Sequence, residues 1–394
     1  MLNAFYLFFL FFAPAPVPEL TLKVKIIDKV TSLPISYVHI NIENSTFGTI
    51  TNEEGSFILS IPENIASQNL VISHVGYEQK VISIQKMKEA NSIELTPATI
   101  LLQEVVVSGL DPFQILADAA LKKKTNYPAT PTRLIGFYRH GIKVNDHYTQ
   151  FLEASMDIIF PHYGLIMDKS KIDREIYVNE LRVFESENIY DVSPYRLFAD
   201  LFFIPVTEKN YDAEIVVDKT SESELFIRAY PKNKQGGLPA FLLTIDRKTL
   251  AYKEVQYSIP PEFWETREFV ERKIQTEAGE KVIREKRVLA EITYSFSQNK
   301  SQWYLKQVNQ KSKFLLDRGD NKNDQVIYYI NYVTNEVHDT TSGLSRKNYL
   351  EKNQDIYKLK RKQNELFWKN YPILQPSAEQ HEIIAVIEET DIGN

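Results

Sequence analysis

Cysteine is absent from all 394 residues of the sequence. Its absence excludes disulfide bonds, thiolate catalysis, zinc sites with Cys ligands and a lipid-modified N-terminal Cys. Glycine is scarce, with 13 residues, whereas Tyr and Phe number 22 each, and this mixture favours extended β-sheet. The chain also has no excess of positive charge, because its formal net charge is −6. We therefore expect no nucleic-acid partner.

Long apolar runs are also lacking beyond the N-terminus, so the sequence predicts no transmembrane helix in the mature chain. Residues 4–13 are apolar over the length of a signal-peptide core, and Ala13 and Ala15 supply small residues for cleavage. The charged residue usual before such a core is missing. Prolines at positions 14, 16 and 18 would interrupt a strand or helix continuing into the fold. We expect residues 1–18 to be a signal peptide and the protein to be exported, periplasmic or outer-membrane associated; the alternative is a buried N-terminal strand.

Residues 19–108 predict short strands separated by closely spaced turns, the pattern of a β-sandwich. At their centre, residues 45–57 predict two strands joined as a hairpin by a tight turn at residues 52–55. Asn52 can bond its own backbone two residues on, and Gly55 supplies the left-handed position. We expect this hairpin to organise the first domain.

The order of these pieces resembles the carboxypeptidase regulatory-like domain, a transthyretin-like sandwich. The resemblance is carried by Asp28 in an opening strand, Pro34-Ile35, Gly48-Thr49, Thr51-x-x-x-Gly55-x-Phe57, Gly76-Tyr77 and Leu102-Gln103-Glu104-Val105-Val106-Val107. It departs from the family at Lys23 and Lys25, where a Gly is often found. The resemblance implies a bacterial envelope or surface protein, because this module commonly precedes outer-membrane transporters and their accessory proteins. It implies no chemistry of the module itself.

The rest of the chain predicts a connector helix, a sheet and a helical tail. Residues 109–131 predict the connector helix, with Asp111 as its cap. Residues 132–340 predict long antiparallel strands in a curved open sheet or half-barrel, and residues 242–251 resemble a hairpin of lipoprotein-carrier-like half-barrels of the envelope. The expected fold class is mainly β: a transthyretin-like β-sandwich, then a larger antiparallel curved-sheet or half-barrel domain with a few helices.

Residues 341–394 predict a C-terminal helical segment. A charged helix is expected over residues 348–368 and an amphipathic one over residues 379–388. We expect Trp368 and Leu374 to dock on the sheet. The alternative is that Phe367 and Trp368 anchor a partner.

Motifs that carry chemistry are not found. His381 and Glu382 begin like a zinc-protease helix, but Ala385 stands where the second His would be. The acidic pairs Glu53-Glu54 and Asp317-x-x-Asp320 are expected to be solvated turns rather than calcium sites. We predict no catalytic, cofactor-binding or metal-ligating residues and no cofactor.

The sequence thus predicts a non-enzymatic exported envelope protein that binds or scaffolds, with the concave face of its sheet as the binding surface. The expected partner is an outer-membrane or envelope protein, a glycan or a lipid. One alternative is a periplasmic carrier that holds a lipid or another hydrophobic ligand in a half-barrel groove. The other is an enzyme with an unrecognised site.

Overall fold

The computed structural model describes residues 19–43, 45, 48–74, 77–78, 80–87, 90–97, 110–160, 174–198, 204–216, 223–276, 279–319, 323–359, 364–371 and 374–392. Within them the fold class is as expected, mainly β. A small sandwich of two sheets is followed by one large antiparallel sheet. None of the helices in the described ranges is long and apolar enough to cross a membrane.

The described strands of the sandwich are β1 (Glu19–Asp28), β2 (His39–Ile42), β3 (Gly48–Ile50), β4 (Ser56–Pro62), β5 (Asn69–Ser73), β6 (Lys80–Ser83) and β7 (Ser92–Leu95). One sheet has the order β4-β1-β7 and the other β3-β2-β5-β6. Leu22, Val24 and Ile26 of β1 are buried between the sheets, as their alternation with lysines predicts.

The predicted hairpin around the turn at Asn52 is wrong as a pairing. β3 pairs with β2 and β4 pairs with β1, so the turn carries the chain from one sheet to the other. The chemistry of the turn is as predicted: Asn52 Oδ1 accepts from the N–H groups of Glu54 and Ser56, and Gly55 has a φ of +72°. Local sequence specifies a turn, whereas the partner of each strand depends on distant residues.

Two residues of the resemblance pattern meet in the sandwich. Tyr77 donates its hydroxyl to Asp28 Oδ2 over 2.7 Å, and Asp28 Oδ1 accepts from the backbone N–H groups of Thr31 and Val30. These bonds, that from Thr31 foremost, lower the pKa of Asp28 because they stabilise its carboxylate. Burial, with the bond to Asp28, raises the pKa of Tyr77 to about 12. The closing strand predicted at residues 102–107 lies outside the described residues.

The large sheet has the order β11-β12-β13-β14-β16-β17-β18-β8-β9-β10-β19, with β15 paired to β16. Its strands are β8 (Thr132–Val144), β9 (His147–Phe160), β10 (Glu175–Glu185), β11 (Tyr211–Ile215), β12 (Glu224–Pro231), β13 (Ala240–Asp246), β14 (Tyr252–Ser258), β15 (Val270–Thr276), β16 (Gly279–Asn299), β17 (Gln302–Asp317), β18 (Asn323–His338) and β19 (Tyr349–Leu350). Register shifts interrupt several of its ladders, and such bulges bend strands. The sheet curves around an apolar inner face.

Four helices are described: α1 (Pro112–Asn126), α2 (Pro261–Glu265), α3 (Glu365–Asn370) and α4 (Ala378–Ile392). α1 lies where the sequence predicts the connector helix, with Asp111 as its N-cap. Leu116 and Ala119 pack it on the inner face, and Tyr127 donates its hydroxyl to the carbonyl of Tyr252.

The charged helix predicted over residues 348–368 is wrong. Tyr349 and Leu350 instead form β19, an edge strand beside β10. The strand β10 was not predicted either. A 3₁₀ turn follows at Ile356–Lys358, capped by Asp355. Burial of Leu350 and Ile356 in the core overrides the helical propensity of the charged residues around them.

Candidate functional site

The concave inner face, predicted as the binding surface, is filled by the protein's own side chains. Tyr138, Leu243, Tyr252 and Tyr294 are each at most 1% exposed and belong to one apolar cluster. The same cluster takes in residues of α1 and of the turn at Ile356–Lys358. The described part of this face is therefore core, and the prediction that it binds a partner is wrong.

The outer face of the sheet carries a row of polar residues, one from each of seven neighbouring strands. Cross-strand register places them side by side from β14 to β10. The row, called the polar row below, is Gln256, Thr293, Asn309, Asn331, Arg139, Glu153 and Arg182. Its amide and hydroxyl half lies beside the sandwich, and its charged half lies beneath the C-terminal segment.

The charged half of the polar row is a buried ion triad. Arg139 Nε donates to Glu153 Oε1 and Arg182 Nε to Glu153 Oε2, both over 2.7 Å. Arg139 and Glu153 are almost completely buried. Arg139 Nη2 also donates to the carbonyl of Leu374 over 2.6 Å, and the Arg182 guanidinium lies 4.8 Å from the ring centroid of Trp368. The triad therefore holds the C-terminal segment on the sheet.

Apolar contacts complete the docking of this segment. Trp368 and Leu374 form a cluster with Phe137 and Val333 of the sheet and Ile50 of the sandwich. The prediction that Trp368 and Leu374 dock on the sheet is confirmed, and the burial of Trp368, at 6% exposure, leaves little of it for a partner.

α4 joins the sandwich to the sheet. Ser377 and Gln380 form a capping box at its N-terminus, and Glu54 of the sandwich accepts from the N–H of Ala378. The Gln380 amide donates to the hydroxyls of Tyr148 and Tyr329 on the sheet. The helix predicted over residues 379–388 is thus present and contacts both domains.

A cleft of about 190 Å³ opens between the sandwich and the uncovered half of the polar row. Tyr37, His39 and His74 line it from the sandwich. The sheet supplies Glu254, Gln256, Glu291, Thr293, Asn309, Lys311 and Asn331 among others. We call this site the interdomain cleft.

A Ser, a His and a Glu meet at one end of the interdomain cleft. Ser295 Oγ lies 3.1 Å from His39 Nε2 and donates to Glu254 Oε2 over 3.2 Å. Glu254 Oε2 also lies 3.6 Å from the same Nε2. In a catalytic triad the carboxylate holds the other ring nitrogen, so that Nε2 can take the serine proton. Here the Ser295 hydroxyl donates to Glu254, and Glu254 lies beside the same ring nitrogen as Ser295. The arrangement therefore lacks the geometry of a triad.

Several polar side chains of the interdomain cleft have unused hydrogen-bonding capacity. In the described part of the chain, the side chains of Glu291, Thr293 and Lys311 make no hydrogen bond or ion pair. The Asn331 side-chain N–H donates to Asn309 Oδ1 over 3.0 Å. The side-chain N–H groups of Asn309 and the side-chain oxygen of Asn331 remain available for a further hydrogen bond. These groups can donate to and accept from a polar molecule in the cleft.

Residues singled out in the sequence lie elsewhere. His381 and Glu382 are exposed on α4. Glu53 accepts from the hydroxyl of Tyr37, and Asp317 pairs with Arg284, while Asp320 lies outside the described residues. Over the described ranges, no group of three His, Asp or Glu side chains is placed to hold a metal ion.

The sequence contains only a partial signal for the interdomain cleft. Residues of β16, β17 and β18 alternate between apolar and polar, which predicts one polar face. Alternation does not reveal that β2 of the sandwich covers this face, since His39 and Glu254 are separated by more than 200 residues.

Fold and site define a two-domain, mainly β protein with a polar cleft between its domains. Its N-terminal domain is a carboxypeptidase regulatory-like domain: the family model described as "CarboxypepD_reg-like domain" matches residues 23–107. No curated protein matches the chain by sequence.

Solved structures give loose likenesses. A domain of a putative outer membrane lipoprotein-sorting protein from Vibrio parahaemolyticus is 8% identical, with a TM-score of 0.23 over 60% of this chain and 94% of that one. A LolA superfamily protein from Nitrosomonas europaea is 8% identical, with a TM-score of 0.22 over 61% and 99%. The MucA/MucB complex of Pseudomonas aeruginosa gives 11% identity and a TM-score of 0.20 over 56% and 93%. Likenesses this loose assign no function.

Proposed function

We propose that the protein is a non-enzymatic, exported envelope protein that acts by binding, and that the interdomain cleft is its binding surface. The observation that carries this proposal is that both domains build the cleft. α4 bonds both the sandwich and the sheet, and the buried ion triad anchors the segment before α4 on the sheet, so that the walls of the cleft are fixed before anything binds.

The absence of catalysis is proposed from the geometry of Ser295, His39 and Glu254. Ser295 is 5% exposed and donates to Glu254, and Glu254 lies beside the same imidazole nitrogen as Ser295 rather than at the other ring nitrogen, so the group lacks the Ser-His-carboxylate relay of a triad. A fluorophosphonate probe is therefore expected to leave Ser295 unlabelled. Labelling that disappears in Ser295→Ala would contradict this part of the proposal.

Export is proposed from residues 1–18, whose apolar core and small residues suit a signal peptide, and from the carboxypeptidase regulatory-like domain, which resembles modules of envelope proteins. The mature chain is expected to begin between residues 15 and 19. Intact-mass spectrometry of the protein from an envelope fraction checks this, and a mass that retains Met1 would contradict export.

Native mass spectrometry of the same preparation tests binding. We expect the protein to carry a small polar adduct that is lost when the cleft is altered in the double variant Thr293→Val/Asn309→Leu. A lipid-sized adduct that is removed by organic extraction would contradict the proposal and favour the carrier hypothesis.

A further inference from the structure

We infer that the interdomain cleft binds one hydroxyl-rich, uncharged molecule of the size and chemistry of a monosaccharide unit; this inference rests on the proposed function. The inference assigns a class of ligand to the cleft that the proposed function identifies as the binding surface. The argument depends on the kind of polar groups present, on their charge and on the size of the cleft.

The polar groups at the floor of the cleft suit sugar hydroxyls. Gln256, Asn309 and Asn331 contribute amides, which both donate and accept, and Thr293 contributes a hydroxyl that does the same. A sugar hydroxyl also donates and accepts, so that it can pair with either end of each amide. A ligand with only acceptors, such as a phosphate, would leave the amide oxygens unpaired, which is costly in a desolvated site.

The charges of the cleft argue against an anion. Two carboxylates, Glu254 and Glu291, line it together with one lysine, Lys311. The two carboxylates lie on different strands, and Glu291 is four positions along β16 from Ser295, the neighbour of Glu254. At about 3.4 Å per residue this separates them by roughly 14 Å along the strands, so that they form no joint cation site. Glu291 is placed to accept from a ligand hydroxyl, whereas Glu254 already accepts from Ser295 and Gln256.

Size and shape favour one small molecule. The volume of about 190 Å³ lies below the roughly 300–1,000 Å³ of pockets for drug-sized ligands. Tyr37 and Tyr329 add aromatic surface at the side of the cleft, against which the C–H face of a sugar ring can pack.

A buried amide beside the floor adds independent support. Gln307 lies next to Ser295 and Val333 in cross-strand register and two positions from Asn309. It is fully buried, and neither its Oε1 nor its Nε2 has a hydrogen-bond partner among the described residues. Buried amides without partners are uncommon, and this one is the cross-strand neighbour of Ser295, which contacts His39.

Saturation-transfer NMR on the full mature chain tests the inference with three probes at millimolar concentration: D-glucose, D-galactose and N-acetyl-D-glucosamine. We expect at least one of them to receive saturation from the protein and inorganic phosphate not to displace it. Affinity should fall at least tenfold in Thr293→Val/Asn309→Leu. Gln298→Leu, on the same strand but exposed and outside the cleft, should leave affinity unchanged.

The isosteric variant Thr293→Val alone covers the case in which the double variant fails to fold, and a threefold or larger loss of affinity is expected for it. Saturation transfer to none of the three sugars, or equal transfer in wild type and cleft variants, would overturn the inference. If the sugars fail but the adduct in native mass spectrometry still depends on Thr293 and Asn309, only the ligand class falls. If neither depends on the cleft, the proposed function falls as well.

Discussion

The two faces of the large sheet are buried in different ways. The inner face is closed by apolar and aromatic side chains, together with α1 and the turn at Ile356–Lys358. The outer face is covered by two elements far apart in sequence, the sandwich and the C-terminal segment, and it keeps a polar row beneath them. The inner face gains stability from area removed from water, whereas the outer face is held by contacts that demand particular partners.

This difference explains why a cleft can persist on only one side. Apolar surfaces close on each other wherever they can, since any contact removes area from water. The outer face instead joins its covers at defined points, such as Arg139 with the Leu374 carbonyl and Tyr329 with the Gln380 amide. Between such points polar surface can stay open at little cost.

Breaking the buried ion triad should have the largest effect. Glu153→Gln keeps the shape of the side chain but leaves Arg139 buried without its counter-charge and Arg182 with only its longer pair to Glu388. We expect a loss of about 3–5 kcal/mol in the free energy of unfolding, measured by urea denaturation. The matched control is Glu214→Gln, which removes an exposed pair with Arg228 and should cost less than about 1 kcal/mol. Similar losses in both variants would show that the triad is not a special anchor.

Each face also has a glycine beneath a tyrosine ring. A Cβ at Gly136 would lie 2.6 Å from ring atoms of Tyr332 on the inner face, and one at Gly141 would lie 2.5 Å from the ring of Tyr329 on the outer face. Both rings are buried and cannot swing away, so Gly136→Ala and Gly141→Ala should each cost about 1–3 kcal/mol.

Thermal denaturation measures both glycine variants. Gly236→Ala is the control, because a Cβ there would lie no closer than 3.1 Å to another atom, and its nearest neighbours are the exposed side chain of Asn233, which can move, and the Asn233 carbonyl oxygen at 3.2 Å. Its stability should change by less than about 0.5 kcal/mol. An unchanged melting temperature in Gly136→Ala or Gly141→Ala would mean that the ring packing is not as tight as these distances indicate.

Two tyrosine-to-phenylalanine changes separate the faces more finely. The Tyr329 hydroxyl on the outer face is hydrogen-bonded to the Tyr148 hydroxyl and accepts from the Gln380 amide, so Tyr329→Phe should cost about 1–2 kcal/mol. The Tyr138 hydroxyl on the inner face is buried with no partner among the described residues, so Tyr138→Phe should be neutral or slightly stabilising. Chemical denaturation of both variants checks this, and equal losses would contradict the contrast between the faces.

The sequence predicted well whatever depends on neighbours along the chain. The cap of α1 by Asp111, the Asn52 turn and the β1 alternation follow from local rules. Failures arose where distant residues decide. The Asn52 turn leads between sheets because β1 offers a better partner to β4 than β3 does, and Tyr349 and Leu350 leave the expected helix because β10 has a free edge.

The interdomain cleft is one of the features that distant residues decide. Polar residues at positions 256, 293, 309 and 331 are individually ordinary, since exposed faces of sheets are polar. Register alone brings them into one row, and only the docking of the sandwich turns that row into a cleft. No local pattern around His39 or Ser295 specifies that contact.

The pH dependence of stability is the prediction with the smallest expected effect. Lys306, the extra residue in a bulge of β17, is 4% exposed and donates to the carbonyl of Thr334. Burial lowers its pKa to about 8, against about 10.4 in an unfolded chain. Between these values the unfolded chain binds more protons, so that raising the pH favours the folded state. From pH 8 to 9.5 stability should rise by roughly 1–2 kcal/mol from this residue.

Urea denaturation at several pH values measures the slope in wild type and in Lys306→Met. In the variant, the slope of stability against pH should lose the contribution of Lys306 and keep that of Lys123 on α1. Burial also lowers the pKa of Lys123 to about 8. The range stops at pH 9.5 because tyrosines of the unfolded chain ionise near pH 10, and the raised pKa values of buried tyrosines such as Tyr211 then reverse the sign of the pH dependence. An unaltered slope in Lys306→Met would mean that Lys306 is solvated in the folded protein.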